Sequence, residues 1–432
     1  MSVKHLGALA LLTFYRALMT LLGPWLVLFM IVRAKRLGKP IVGLSALKQW
    51  QQRLGFALPP VTAVDRVWVH AVSLGEVNSI SVFVKQMCDQ GLSVVVTSQT
   101  NTGFWRAKEL FAAQAEVGLF VIDQPGALKR FVRHYSICDV VVVESEIWPT
   151  MLTCLPALGV RVSFANARIS KSTFEGFLRV EPLAQKLFGS LSLVCAQDPE
   201  SARRFIELGA APLAVKQHAN LKFLHAATTS AKSASKLLHS LVAASTHAGE
   251  EEAALALHEL HRAESDRALL VLVPRHPERF HEVKKLLDAQ GVNYALRSRG
   301  DPLPSSGVYL ADTLGELNQW YALCQMAFVG GSLVDVGGHN PLEAAAEGAV
   351  VLMGPYTHKC EQSVAALKAY DAMIQVSNQE ELAETFRKLL HNPARLQQMQ
   401  DGGRLAVMAL HAEAKRQLEA LLEQVKMPRK LP

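Results

Sequence analysis

The chain has 432 residues, 50% of them hydrophobic, with a formal net charge of +7 and a mean hydropathy of +0.16. That length exceeds one ordinary core and points to two domains, each able to bury its own interior. Positions 1–64 hold no Asp or Glu but eight of the 45 basic residues (Lys4, Arg16, Arg33, Lys35, Arg36, Lys39, Lys48 and Arg53), which leaves 37 basic against 38 acidic residues beyond them. The body is therefore near neutral. This distribution argues against a nucleic-acid partner and for an anionic membrane surface or an anionic lipid.

Residues 6–32 are almost wholly apolar, interrupted by Arg16 and by Gly23-Pro24. The clean part, Ala17 to Val32, is shorter than the roughly 20 residues of a straight span, and snorkelling of Arg16 would extend it. A cleaved signal peptide is the competing reading. No small-residue cleavage site follows, only Arg33-Ala34-Lys35-Arg36, a cluster expected to stay in the cytoplasm together with the body. Residues 1–36 are expected to be a membrane anchor, spanning or monotopic. The six cysteines (88, 138, 154, 195, 324 and 360) contain no C-x-x-C pair and read as reduced core thiols.

Short apolar runs then alternate with amphipathic stretches. Val67 to Ala71, Ser93 to Thr97, Val140 to Val143, Val160 to Phe164 and Leu193 to Ala196 read as buried parallel strands, with helices such as Thr102 to Ala113 and Glu200 to Leu208 between them. In such sheets ligands bind beyond the carboxyl ends of the strands, so the residues after each strand carry the interest. The first strand leads to Gly75 and Glu76, the latter in the first turn of the next helix. It is either a carboxylate held by the helix dipole or a general base in a partly desolvated cleft. The strand Val140–Val143 leads to Glu144 and Glu146, which strand alternation would put on one side. Asn166-Ala167-Arg168 follows the next strand, and Arg168 could pair with those acids or meet a phosphate.

The small, polar stretch 226–235 reads as a linker. A second series follows, with strands at Leu241–Ala244, Leu269–Val273, Met326–Val329 and Val350–Met353, and a wholly helical C-terminal part from Glu380 to Val425. The turn Ala244 to Gly249 suits either an anion or ordinary capping. The loop Pro274-Arg275-His276-Pro277 is stiffened by two prolines and presents Arg275 to a phosphate or a base. Gly330-Gly331-Ser332 and Gly337-Gly338-His339 precede Asn340-Pro341-Leu342-Glu343. Asn as N-cap, Pro at N1 and Glu at N3 form a capping arrangement, yet the glycines also admit a nucleotide to the backbone. Walker A, H-E-x-x-H, G-x-S-x-G, G-x-G-x-x-G and D-x-D sequences are absent. Without a metal motif, a leaving phosphate must be stabilised by protein cations and helix dipoles.

Taken together, the motifs HAVSLGE (70–76), ESEIWP (144–149), NAR (166–168), NLKF (220–223), STHAGEE (245–251), PRHPERF (274–280), GEL (315–317) and GGSLVDVGGHNPLE (330–343) resemble, in order, the 3-deoxy-D-manno-octulosonic acid (Kdo) transferases of Gram-negative bacteria. The resemblance implies an α/β chain of GT-B fold. An acceptor-binding Rossmann-like domain would occupy residues 37–225, and a CMP-Kdo-binding one with the C-terminal helices residues 236–432. It implies transfer of Kdo from CMP-Kdo to a lipid A precursor, lipid IVA, at the cytoplasmic side of the inner membrane, in lipopolysaccharide core biosynthesis. Glu76 would be the base that deprotonates the acceptor hydroxyl, with Glu146 and Lys222 supporting the transition state. CMP would be held by Pro274 and Arg275, by Gly315, Glu316 and Leu317, and by Asn340, Pro341, Leu342 and Glu343. No cofactor, no metal and no nucleic-acid partner are expected; the partners are CMP-Kdo, the lipid acceptor and membrane lipids. The sequence departs from the family pattern at Ala219 and Leu224, beside Lys222, and at Ser172, on the acceptor side. Another GT-B nucleotide-sugar transferase or epimerase, or a non-catalytic membrane-associated protein of the same fold, are the alternatives.

Overall fold

The computed structural model describes residues 3–36, 43–59, 61–62, 64–144, 146–225 and 236–428, so the linker expected at 226–235 lies outside the described residues. The chain divides into two units, Met1–Leu224 with Glu413–Pro432, and His225–Ala412.

The first unit is built on seven parallel strands: β1 (Arg66–His70), β2 (Ser93–Ser98), β3 (Glu116–Leu119), β4 (Ile137–Val143), β5 (Arg161–Ala167), β6 (Leu193–Ala196) and β7 (Val215–Gln217). Their order is β3-β2-β1-β4-β5-β6-β7. Valine-rich β1 and β4 are buried throughout, as strands covered by helices on both faces must be. Trp68 in β1 is fully buried and satisfies its indole N–H on Thr97 Oγ1 of β2 at 2.7 Å. The second unit repeats the plan with β8 (Leu237–Thr246), β9 (Leu269–Pro274), β10 (Tyr294–Leu296), β11 (Gly307–Leu310), β12 (Cys324–Val329), β13 (Val350–Met353) and β14 (Met373–Gln375), in the order β10-β11-β9-β8-β12-β13-β14. Every strand expected from the sequence is present. The five not anticipated, β3, β7, β10, β11 and β14, have three or four residues each, and four of them lie at a sheet edge, where burial imposes no continuous apolar run. Among the described cysteines none is in a disulfide, and all but Cys88 are buried.

Strand order reverses direction between β1 and β4 in the first unit and between β8 and β12 in the second. At such a switch point adjacent loops diverge and leave a crevice above the strand ends. Each unit therefore has one place where its topology favours a ligand.

Two expectations about the ends need correction. The C-terminal part is two helices, Gln379–Leu390 and Pro393–Lys426, and from Glu413 onward the chain belongs to the first unit rather than the second. Gln417 is buried there between Asn166 and Ala219, and Leu418 and Leu421 are buried too. Periodicity shows that a helix has an apolar face but not which core receives it. The N-terminal helix Val3–Arg36 is continuous through Gly23-Pro24 and is long and apolar enough to cross a membrane. Arg16 does not reach outward along it: its Nη2 donates to Thr153 Oγ1 of the first unit at 2.6 Å. Tyr15 donates to Asp123 Oδ2 at 2.9 Å, and Trp50 donates to the Pro24 carbonyl at 3.0 Å. Leu12, Val27 and Ile31 are buried on this docked face, while Phe14, Leu18, Leu21, Trp25 and Phe29 are exposed on the other.

Candidate functional site

At the switch point of the first unit, β1 runs through Val72 into the short helix Leu74–Ser79, capped by Ser73. Glu76 closes this turn. Its Oε2 accepts the Val72 N–H and its Oε1 the Ser73 hydroxyl, both at 2.8 Å. The turn is fastened from behind as well, because Ser98 and Thr100 donate to the Val72 carbonyl at 2.8 and 2.9 Å. The helix behind it can come this close because position 103 is glycine; a Cβ there would stand 2.3 Å from Ser98 Oγ and 2.9 Å from the Val72 oxygen. Glu76 is thus a pre-set carboxylate, 8% exposed, whose oxygens keep lone pairs for a further donor.

Beyond β4 the chain turns sharply at Glu144, a non-glycine residue in the left-handed region (φ 61°) whose N–H bonds the Ala165 carbonyl at 2.8 Å. Strand alternation therefore ends at Val143 and does not align Glu144 with Glu146, as the sequence reading assumed. What unites them is electrostatics. Burial pushes the Glu144 carboxyl up, Glu76 adds to the shift, and Lys222 and Arg168 oppose it. Burial likewise raises Glu146, opposed by its hydrogen bond from Trp148 Nε1 at 2.8 Å and increased by Glu76. Glu76 thus acts on both Glu144 and Glu146, and Lys222 and Arg168 temper Glu144, a carboxylate-rich site suited to taking a proton from a hydroxyl. Lys222 is exposed on a 3₁₀ turn, Leu221–Leu224, with its Nζ 5.1 Å from the Phe223 ring. Asn166, also left-handed (φ 52°), ties this turn to the helix of Glu76 by accepting the Leu221 N–H at 2.8 Å and donating to Ser79 Oγ at 3.2 Å.

In the second unit β8 leads through Ser245 to Gly249 into the helix Glu250–Arg262. This turn was a candidate anion site, but its His247 N–H already donates to Glu250 at 2.9 Å. The fully buried Glu250 carboxylate also accepts the N–H groups of Gly331, Ser332 and Leu333 at 2.7, 3.0 and 3.0 Å. It is an internal anion that shapes the glycine-rich loop, a role the sequence reading missed; the acid-rich start of that helix was its only signal. Gly330 lies against the Ser245 oxygen, where a Cβ would come within 2.6 Å, so glycine here serves chain packing.

The loop after β9 is held by Arg279, which grips Glu251 with two bonds of 2.8 and 3.2 Å. Pro274 ends the strand, and Arg275 donates its backbone N–H to the Thr246 carbonyl at 3.1 Å. Among the described residues no hydrogen bond or ion pair holds the Arg275 guanidinium, which is exposed and acts on both His339 and Glu343. Burial raises the Glu343 carboxyl, and the Asn340 side chain and Arg275 oppose the shift. The helix that follows corrects a further expectation. It spans only Leu342–Ala346, with Pro341 rather than Asn340 at its cap and no side-chain cap bond. Asn340 instead bridges Leu342 N (3.3 Å) and Glu343 Oε1 (3.4 Å). Five residues align too few peptide dipoles for a strong helix-end charge. Gly315 and Leu317 flank Glu316, whose carboxylate is taken by Arg297 Nη2 at 2.6 Å and by the Thr313 hydroxyl. His247 and His339 meet with their Nε2 atoms 2.8 Å apart. No group of three or more His, Cys, Asp or Glu among the described residues is placed to hold a metal ion.

Residues 48–225 match the family model described as 3-deoxy-D-manno-octulosonic-acid transferase (kdotransferase). The chain is 35% identical over 427 residues to a 3-deoxy-D-manno-octulosonic acid transferase of Bordetella pertussis, covering 93% of this chain and 96% of that one. It is 30% identical over 402 residues to the enzyme of that name from Haemophilus influenzae, covering 88% and 93%. Among solved structures, a UDP-GlcNAc 2-epimerase from Neisseria meningitidis bound to UDP-GlcNAc superposes with a TM-score of 0.56 at 14% identity, over 83% of this chain and all of that one. That likeness shows the fold, two Rossmann-like domains of GT-B type. The sequence relatives decide which chemistry the fold carries.

Proposed function

Because the chain belongs to the Kdo transferase family and is a glycosyltransferase that transfers Kdo in lipopolysaccharide synthesis, we propose that its donor is CMP-Kdo, its acceptor a lipid A precursor such as lipid IVA, and its general base Glu76. The observation that carries this reading is the carboxylate cluster at the β1/β4 switch point, where Glu76 influences both Glu144 and Glu146.

In this mechanism an acceptor sugar hydroxyl donates to Glu76. As its oxygen attacks the anomeric carbon of Kdo, the proton passes to Glu76, and the bond from that carbon to the CMP phosphate breaks, its electron pair leaving with CMP. The sugar acquires oxocarbenium character on the way, as in glycoside hydrolysis. Glu146, oriented by Trp148, and Lys222 act around that charge, while Arg275 meets the departing phosphate. Pro274, Asn340, Pro341, Leu342 and Glu343 would form the nucleotide's other contacts, together with the backbone of Gly315, Glu316 and Leu317. Glu343, with its raised proton affinity, suits a ribose hydroxyl.

The N-terminal helix supports binding to the cytoplasmic side of the inner membrane, lying in the membrane plane. Its docked residues run from Leu12 to Ile31, about 28 Å of helix at ~1.5 Å per residue. A perpendicular helix docked over that length would draw the body into a hydrocarbon core about 30 Å thick. Laid flat, its outer row of Phe14, Leu18, Leu21, Trp25 and Phe29 enters the interface, with Arg33, Lys35 and Arg36 at its end facing anionic headgroups.

The test is to incubate purified protein in detergent with CMP-Kdo and lipid IVA and to weigh the product by mass spectrometry. Addition of one or more Kdo masses by the wild-type protein, lost with Glu76→Ala, is the expected result. No addition by the wild type, or tighter binding of UDP than of CMP, would sink the reading.

A further inference from the structure

His247 follows β8 and His339 follows the glycine-rich loop after β12, so two side chains 92 positions apart meet at the switch point of the second sheet. Their Nε2 atoms are 2.8 Å apart and the ring planes lie within 2° of parallel. At that distance the two nitrogens share one hydrogen: one ring supplies an N–H, the other a lone pair. Each ring then has one nitrogen left, Nδ1, and in the neutral pair one of these is a donor and the other an acceptor. Neither Nδ1 has a hydrogen bond among the described residues, and both rings are partly exposed.

The groups around the pair come from several elements. Arg275, His276 and Arg279 face it from the loop after β9, and Lys359 from the loop after β13. His358 packs against Gly337, two residues before His339, and lies 3.9 Å from Asp335. Glu250 acts on His247, and its oxygens are occupied by four backbone N–H groups. The site is therefore rich in cations and N–H donors. Burial, Arg275 and the neighbouring histidines and lysine hold the His339 imidazole down to about 4, and burial also lowers His247. An arriving oxyanion reverses that balance. One added proton would leave the Nε2 contact in place, now charge-assisted, and would turn both Nδ1 atoms into N–H donors.

We propose that the His247–His339 pair is the receptor for an oxyanion of the donor, its phosphate or its sugar carboxylate, and that the pair takes one proton from solvent as the donor binds. This rests on the CMP-Kdo reading above. It makes the two histidines specificity-determining residues for an anionic nucleotide sugar, at a point where a five-residue helix supplies little dipole.

The test is calorimetric titration of the full chain with CMP, and separately with CMP-Kdo in the absence of acceptor, at pH 7 in buffers of differing ionisation enthalpy. Wild-type protein should take up about half a proton or more per ligand bound. His339→Gln and His247→Gln, checked for an unchanged melting profile, should lose that uptake and weaken binding about ten-fold or more, roughly the loss of one charge-assisted hydrogen bond. CMP's own second phosphate ionisation, which the diester of CMP-Kdo lacks, is common to wild type and variants, so their difference isolates the pair. Uptake with CMP alone identifies the phosphate as the oxyanion, and uptake with CMP-Kdo only identifies the carboxylate. Binding with equal proton uptake in wild type and both variants overturns the proposal. If neither ligand binds the wild type, the donor reading itself fails, and this inference with it.

Discussion

Gln417 accepts the backbone N–H of Asn166 at 2.8 Å, across 251 positions of the chain. The same amide donates to the Ala219 carbonyl at 2.7 Å. Asn166 in turn joins Ser79, one turn past Glu76, to Leu221, the neighbour of Lys222. The C-terminal helix is thereby a buttress for the residues proposed to act on the acceptor.

Gln417→Leu keeps the volume and removes both bonds, leaving a buried N–H and a buried carbonyl unpaired. A loss of about 2–4 kcal/mol is expected in urea unfolding followed by fluorescence. The transfer rate should fall with it, because the left-handed Asn166 loses its clamp. A variant as stable and active as wild type would show the buttress to be dispensable.

Glu76→Gln is the sharper probe of the base. The amide oxygen can still accept from Val72 and the amide nitrogen can donate to Ser73 Oγ, so the melting profile should hold. The rate of Kdo transfer should drop by roughly 10²–10⁴. CMP binding, assigned to the other unit, should be unaffected.

Glu250→Ala removes the acceptor of four backbone N–H groups at once. Destabilisation of roughly 3 kcal/mol or more is expected, with loss of CMP affinity as the 330–333 loop relaxes. Glu250→Gln, which keeps one acceptor oxygen, should fall between. Hydrogen exchange of the Gly331–Leu333 amides reads the effect directly.

The two faces of the N-terminal helix should answer differently to a charge. Leu21→Asp or Trp25→Asp, on the exposed face (71% and 69% exposed), should release protein from anionic vesicles in flotation while leaving unfolding unchanged. Leu12→Asp, on the docked face, should destabilise the first unit instead. Equal flotation of all three variants and the wild type would count against the in-plane anchor.

Stability should fall on the acid side. Burial holds His70 down to about 3 and His258 and His261 to about 4. The unfolded chain binds protons at these groups from about pH 6.5 downward while the folded chain does not, so the stability they permit is complete above pH 6.5 and is lost as pH falls toward 4. For one such histidine the loss at pH 5 is on the order of 2 kcal/mol. Among the described residues both ring nitrogens of His258 are buried without a partner, so His258→Leu should flatten the acid limb of a plot of thermal midpoint against pH.

Much of the fold was legible in the chain. The nine strands expected from the sequence announce themselves as apolar runs because a central parallel strand is apolar on both faces. The rule that ligands gather beyond strand ends then pointed to Glu76, Glu144, Glu146 and Arg275. Other features left no local trace. The capping pattern at Asn340–Glu343 suggested a strong helix end, but the helix stops after five residues and Pro341 takes the cap. The turn at His247 offered amides to an anion, but Glu250 already fills that role from inside. Alternation failed for Glu144 because the chain enters a left-handed turn there, a conformation no composition rule signals.

By itself the sequence determined the alternation of strands and helices, the basic apolar N-terminus and the family, since these depend on residue type and spacing along the chain. Only the tertiary structure decided that Arg16 turns inward to Thr153, that the last helix serves the first unit through Gln417, that Asn166 joins the neighbours of Glu76 and Lys222, and that His247 meets His339. Each of these pairs residues far apart in the chain. Such contacts are set by how strand order and packing return the backbone to one place, which local propensity does not encode.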